Sequence, residues 1–155
     1  MKTLLALTAA AVALAVPAAA ASPALASTCQ PYSATGHDAA SSPAGPYVGL
    51  QNITIGSTSY NNVPAVTSVL APLTPEGNSG VFTTTTSHTI SLPSGTITTT
   101  DNVHLIPTDT PGVYKLVSHL MIGGGATGQI QLQGTVDFVT LSAEGTFVGT
   151  VCGLS

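Results

Sequence analysis

The chain of 155 residues is poor in charge. Two lysines, Lys2 and Lys115, and no arginine stand against six acids, giving a formal net charge of −4, and only 5% of residues are charged. Neutralising nucleic-acid phosphates takes clusters of lysine and arginine, so nucleic-acid binding is excluded. Attraction to an anionic membrane surface has equally little to rest on. Only two cysteines are present, Cys29 and Cys152. That is too few for a disulfide-dense scaffold, and with no CxxC or adjacent histidine cluster they do not form a thiolate metal centre. Past the N-terminal leader, no stretch keeps apolar residues at i, i+3, i+4 and i+7 for three turns, so amphipathic helices are not expected. There is no GxSxG, no HxH or HExxH, and no GK[ST] behind the glycine run 123–128. A nucleophile elbow, a histidine metal site and a phosphate loop therefore lack their signatures. No metal and no cofactor is expected.

What is present begins with the leader. Lys2 is followed by an apolar run from Leu4 to Val16, a break at Pro17, and the small-x-small triplet Ala24-Leu25-Ala26. This is the pattern of a secretory signal peptide over residues 1–26, with cleavage expected after Ala26 and an earlier cut after Ala20 or Ala21 as the alternative. The run is shorter than the roughly 20 apolar residues that a spanning helix needs, so no integral membrane segment is expected in the mature chain. The expected location is secreted or extracellular, or periplasmic. About 129 residues remain, enough for one domain with its own core.

In an oxidising compartment the two cysteines have one intramolecular connectivity, Cys29–Cys152. The enclosed loop is on the order of 120 residues, for which the chain-entropy model gives roughly 4–5 kcal/mol and measured cases nearer 2–4.

The mature chain is rich in Thr, Val and Ile, and is punctuated at short intervals by Gly, Pro, Asn and Ser. Residues 27–45 are small and polar and read as an extended N-terminal arm. Residues 46–155 read as a barrel domain with strands near Tyr47–Ile55, Val63–Leu70, Gly80–Leu92, Thr96–Ile106, Val113–Ile122, Gln129–Leu141 and Gly145–Cys152. The fold class expected is all-β, a single antiparallel up-and-down barrel of about eight strands.

Alternation assigns the faces. Ile130, Leu132, Val136 and Phe138 take one side of their strand, with Gln129, Gln131, Gln133 and Asp137 on the other. Tyr114, Leu116, Ser118, Leu120 and Ile122 point inward, and in the last strand Phe147 and Val151 face opposite Val148 and Cys152. The same parity around Pro93-Ser94-Gly95 puts His88 and Asp101 inside, together with Thr84 and Thr86. A four-residue loop would set His88 directly opposite Asp101; a two-residue loop would make them diagonal neighbours, still within reach. These four residues are the candidate catalytic or ligand-binding set. His88 and Asp101 would polarise a ligand or move a proton, and Thr84 and Thr86 would line a wet cavity. The plainer alternative is a hydrogen-bonded pair near the barrel rim. His37 lies in the N-terminal arm and reads as incidental, and His104 and His119 fall on outer faces and read as surface residues. Asn52-Ile53-Thr54 is a glycosylation sequon.

A family resemblance rests on three segments. They are Gly95-Thr96-Ile97-Thr98-Thr99-Thr100-Asp101, then Ile122-Gly123-Gly124-Gly125-Ala126-Thr127-Gly128 with Gly134 and Gly145, and then Gly149-Thr150-Val151-Cys152. About 60 residues of the C-terminal half thus resemble the small secreted barrels of the allene oxide cyclase/dirigent-like group, within the calycin-like architecture. The stretch between the glycines and Ala126-Thr127-Gly128 is shorter than in that family and lacks its aromatic and charged residues, so no catalytic residue carries over. The resemblance implies an eight-stranded barrel with a largely apolar interior.

Three functions fit. The leading one is a non-enzymatic secreted barrel that binds a small hydrophobic molecule or a surface partner. The others are a structural surface protein with a filled barrel and an isomerase or cyclase of the allene oxide cyclase type. An eight-stranded barrel is just wide enough to be either filled or hollow.

Overall fold

The computed structural model describes residues 28–154. The expected signal peptide lies outside the described residues. The strands are β1 (Cys29–Ala39), β2 (Tyr47–Ile55), β3 (Thr58–Val69), the two-residue β4 (Thr74–Pro75), β5 (Phe82–Leu92), β6 (Gly95–Pro107), β7 (Val113–Gly123), β8 (Thr127–Asp137) and β9 (Ser142–Cys152). Every long strand pairs antiparallel with its neighbour in sequence. The ring closes through β1 with β9 and β3 with β5, and β4 adds a short edge beside β5. The result is a closed eight-stranded up-and-down barrel with one extra strand, as the spacing of strands and turns predicts.

The stretch 27–45 is not an arm. Cys29–Ala39 is a stave of the barrel, paired along its length with both β2 and β9. Its small polar composition hid a period-two pattern: Tyr32, Ala34 and Asp38 are buried, while Ser33, Thr35 and His37 between them are exposed. Three other boundaries move for local reasons. Strand β3 starts at Thr58 because Gly56, at φ 60°, turns the chain straight back from β2, with a bulge between Gln51 and Ile53. Strand β8 stops at Asp137 because its Oδ1 accepts the backbone N–H groups of Val139 at 2.7 Å and Thr140 at 3.2 Å. That turn ends in Leu141 at φ 55°, so β9 begins at Ser142.

The disulfide Cys29–Cys152 is present, and the two residues face each other across the β1–β9 seam. It is compatible with an oxidising location.

The interior is layered along the barrel axis. The end near the disulfide is packed with side chains, including Tyr32, Ile53, Ile90, Ile97, Leu120, Ile130 and Val151. The opposite end holds a second, sparser cluster around Tyr47, Val103, Leu105 and Val136, with Phe82, Tyr114 and Phe138 half-buried against it. Leu116 packs against both clusters. Buried polar groups, His88, Asp101, Thr86, Gln51, Ser118 and Asp38, are set among these apolar side chains.

Candidate functional site

The open end of the barrel encloses a cavity of about 90 Å³, measured as the space that the centre of a water molecule can reach. On that measure it holds roughly half a dozen waters or one small organic molecule. Its walls are mainly apolar, with Tyr47, Val69, Leu105, Leu132, Val136 and Phe138 among them, and its polar lining includes Asp38, Gln51, Thr67, Thr84, Thr86 and His88.

The β5–β6 hairpin turns on two residues, Pro93 and Ser94, with Leu92 opposite Gly95. This register places Thr86 opposite Asp101 and Thr99 opposite His88. His88 and Asp101 are therefore diagonal, with Nε2 3.4 Å from Oδ1. Thr86 donates its hydroxyl proton to the same Oδ1 at 2.7 Å. On the other carboxylate oxygen, Ser118 of β7 donates to Oδ2. The Asp101 side chain is wholly shielded from solvent. Burial alone would push its carboxyl up, but hydrogen bonding from His88, the charge interaction with that ring, and the hydroxyls of Ser118 and Thr86 together hold it below the ordinary carboxylate value.

These contacts fix the imidazole. Because the Thr86 proton is directed at Asp101, Nε2, 3.3 Å from Thr86 Oγ1 and 3.4 Å from Asp101 Oδ1, faces two acceptors and is the protonated nitrogen. The ring stands edge-on to Phe147, with centroids 6.1 Å apart. Its Nδ1 lies 2.9 Å from Thr67 Oγ1 on β3, and Thr67 Oγ1 lies 3.2 Å from Asp38 Oδ2 on β1. The single hydroxyl of Thr67 thus links His88 to a second buried carboxyl. A proton on Asp38 with Thr67 donating to Nδ1, and a proton on Nδ1 with Thr67 donating to Asp38, satisfy the same three groups. Burial pushes the Asp38 carboxyl up, opposed by the Thr67 hydrogen bond and by the charges of His88 and His37. Chemically, the chain Asp38–Thr67–His88–Asp101 can hold or pass a proton at the cavity wall.

Three of the four candidate residues meet: Thr86, His88 and Asp101. Thr84 does not join them, because its hydroxyl donates to the Ala71 carbonyl at 2.5 Å and fastens the 70–81 segment over the cavity end of the barrel. His37 and His119 are exposed. His104 is exposed, with its Nδ1 3.2 Å from Glu76 Oε1. Asn52 is exposed at the β2–β3 bulge, where its Oδ1 accepts the Asn62 N–H at 3.1 Å.

Sequence reasoning missed Asp38, Thr67 and Gln51. Asp38 lay in the segment read as an arm. Continuing the parity of Tyr32 and Ala34 would have pointed it inward. Thr67 follows Val63 and Ala65 at the same spacing. Gln51 shares the parity of Ile53 and Ile55, and is buried over Gly36, the β1 residue facing it.

Among the described residues, no group of three or more His, Cys, Asp or Glu side chains could hold a metal ion, and no helix is long and apolar enough to cross a membrane. No family model, no curated protein and no solved structure matches the chain.

Proposed function

We propose that this is a secreted, non-enzymatic barrel that binds one small hydrophobic molecule in the open half of its interior. The observation that carries the reading is the uneven filling of the barrel. One half is filled by a cluster of buried side chains, whereas the other leaves a cavity of about 90 Å³ between mainly apolar walls, and small-molecule sites are concave and mostly apolar. The leader sequence and the Cys29–Cys152 bridge support export. The allene oxide cyclase/dirigent-like resemblance supports the same reading, since an apolar barrel interior is what that family implies.

The test is native mass spectrometry of the protein recovered from its own secretion medium, paired with the cavity-filling variant Val136→Phe. A retained small molecule, lost in the folded variant, is the expected result. A protein of apo mass that also takes up no apolar probe would overturn the binding reading and favour a structural barrel.

A second reading has one observation of its own, the Asp38–Thr67–His88–Asp101 chain at the cavity wall. An isomerase or cyclase acting on an apolar substrate would use His88 to move a proton while Asp101 holds the ring. Turnover of an unsaturated epoxide that survives both His88→Ala and Asp101→Ala unchanged would remove the pair from any such mechanism.

A further inference from the structure

The polar side chains that line the cavity spend their hydrogen bonds on one another or on nearby backbone. Thr86 donates to Asp101. His88 faces Thr86 and Asp101 at Nε2 and Thr67 at Nδ1, and the Thr67 hydroxyl also meets Asp38 Oδ2. Thr84 donates to the Ala71 carbonyl at 2.5 Å and Tyr47 to the Pro43 carbonyl at 3.4 Å. Asp38 Oδ1 and Gln51 Oε1 have no donor, but they also have almost no surface that a water-sized molecule can touch. Asp38 Oδ1 is turned against Gly49 in the sheet wall, and the Gln51 side chain lies over Gly36 and is only 1% exposed. Glu144 is exposed, with its Oε1 3.4 Å from Thr135 Oγ1, and the lining contains no lysine or arginine. The cavity therefore shows an occupant carbon, from side chains such as Val69, Leu105, Leu132, Val136 and Phe138. A neutral polar group carried into such a space gives up its water and gains no partner, which weakens binding by about fivefold or more. A charged group loses more.

Resting on the reading of this cavity as a ligand site, we infer that the enclosed part of its occupant is hydrocarbon, aliphatic or aromatic, and that Thr67 sets this preference. Any polar group of the ligand stays in water at the mouth. The Thr67 hydroxyl occupies His88 Nδ1, the one ring nitrogen not turned toward Asp101. It thereby closes the Asp38–Thr67–His88–Asp101 chain on itself, so that a row of polar residues behaves as an apolar wall. Without that hydroxyl, His88 Nδ1 would be the polar atom that an occupant meets first.

The experiment titrates two matched pairs of probes by NMR into the oxidised protein at neutral pH: toluene with phenol, and p-xylene with hydroquinone. Phenol can leave its single hydroxyl at the mouth and should bind no more tightly than toluene. Hydroquinone carries hydroxyls at both ends, so one must enter. It should bind about fivefold or more weakly than p-xylene, the loss expected for one unpartnered hydroxyl. In Thr67→Ala, p-xylene should still bind, which reports an intact cavity, and the gap between p-xylene and hydroquinone should narrow as His88 Nδ1 becomes available. Phenol binding more tightly than toluene, or hydroquinone coming within fivefold of p-xylene in the wild type, would overturn the hydrocarbon preference and leave the cavity as a ligand site. A gap that stays the same in Thr67→Ala would overturn the role of Thr67. If toluene and p-xylene themselves fail to bind, the ligand-site reading falls and takes the inference with it.

Discussion

His88 and Asp101 sit one diagonal step apart on neighbouring strands, Nε2 3.4 Å from Oδ1, because Thr86 rather than His88 is the residue facing Asp101. The carboxylate consequently has three partners, and the loss of any one leaves the other two. Removing its charge disturbs all three at once. Asp101→Asn should lose about 2–4 kcal/mol of stability, since it leaves buried donors competing for one oxygen, whereas Ser118→Ala should lose about 1 kcal/mol. Urea denaturation at neutral pH reads both. The native pKa of Asp101 lies below its ordinary 3.8. Its contribution is therefore fully present above the unfolded value and is lost as pH falls through the folded one. Wild type should weaken steeply on acidification below about pH 4, and Asp101→Asn should show a shallower fall. An equal acid slope in the two proteins would refute the assignment.

Asp38 carries the opposite sign. Its native pKa is raised by burial, so the folded chain holds a proton there at pH values where the unfolded chain has released it. The associated stability is complete below the unfolded pKa and is lost as pH rises through the folded one. Asp38→Asn keeps the shape and removes the buried charge. At pH 7 the variant should melt about 2–5 °C higher than wild type, a shift that corresponds to roughly 1 kcal/mol in a domain of this size. The gap should close toward pH 4. A variant that melts lower at pH 7 would show that Asp38 is held as a stabilised anion.

The architecture was readable because each strand alternates and each break carries turn chemistry. Ile130 and Leu132 are buried while Gln129, Gln131 and Gln133 are exposed, and the inward placement of Ser118 and Leu120 follows from parity alone, whereas in the last strand parity separates Phe147 and Val151 from Val148 and Cys152 and only the structure shows that the first two are buried. The segment 29–39 was misread because its inward-facing positions are filled largely by small or polar residues: Ala34, the half-buried Gly36 and Asp38 offer little hydrophobic contrast with their exposed neighbours. That same property makes this wall of the barrel the polar side of the cavity. The site was half legible. Asp101, Thr86 and His88 share one hairpin, and its parity finds them. Asp38 and Thr67 come from β1 and β3; β3 meets β5 only where the ring closes, Asp38 reaches His88 only through Thr67, and no local pattern reports that.

The glycines separate into those the packing requires and those it does not. A Cβ on Gly49 would collide with the His37 carbonyl and the Asp38 backbone at Cα, neither of which can move away without breaking the β1–β2 ladder. Gly49→Ala should destabilise by about 2–4 kcal/mol and raise the exchange rates of the amides of β1. At Gly123 nothing lies within 4 Å of an added Cβ, so Gly123→Ala should stay within about 0.5 kcal/mol of wild type. Comparable losses in the two variants would contradict the close approach of β1 to β2.

The disulfide can be tested apart from the fold. Cys29 and Cys152 are separated by 123 positions in sequence and stand opposite each other at one end of the β1–β9 seam. A crosslink closing so long a loop restricts the unfolded chain by roughly 4–5 kcal/mol in the entropic account, with measured bridges nearer 2–4. The folded barrel, however, does not rely on it to bring the strands together. Both strands are 11 residues long, they pair along their full length, and β1 is held on its other side by β2. Tyr32, Ala34, Phe147 and Val151 bury their side chains in the same core. Reduction, or the double substitution Cys29→Ser with Cys152→Ser, should therefore lower the melting temperature by about 8–15 °C, with β-sheet circular dichroism retained at 25 °C. The binding of toluene should be almost unchanged, because the cavity opens at the opposite end of the barrel. A reduced protein that is unfolded at room temperature would mean that the seam depends on the bridge and that the core of the packed half is too weak to close the barrel by itself.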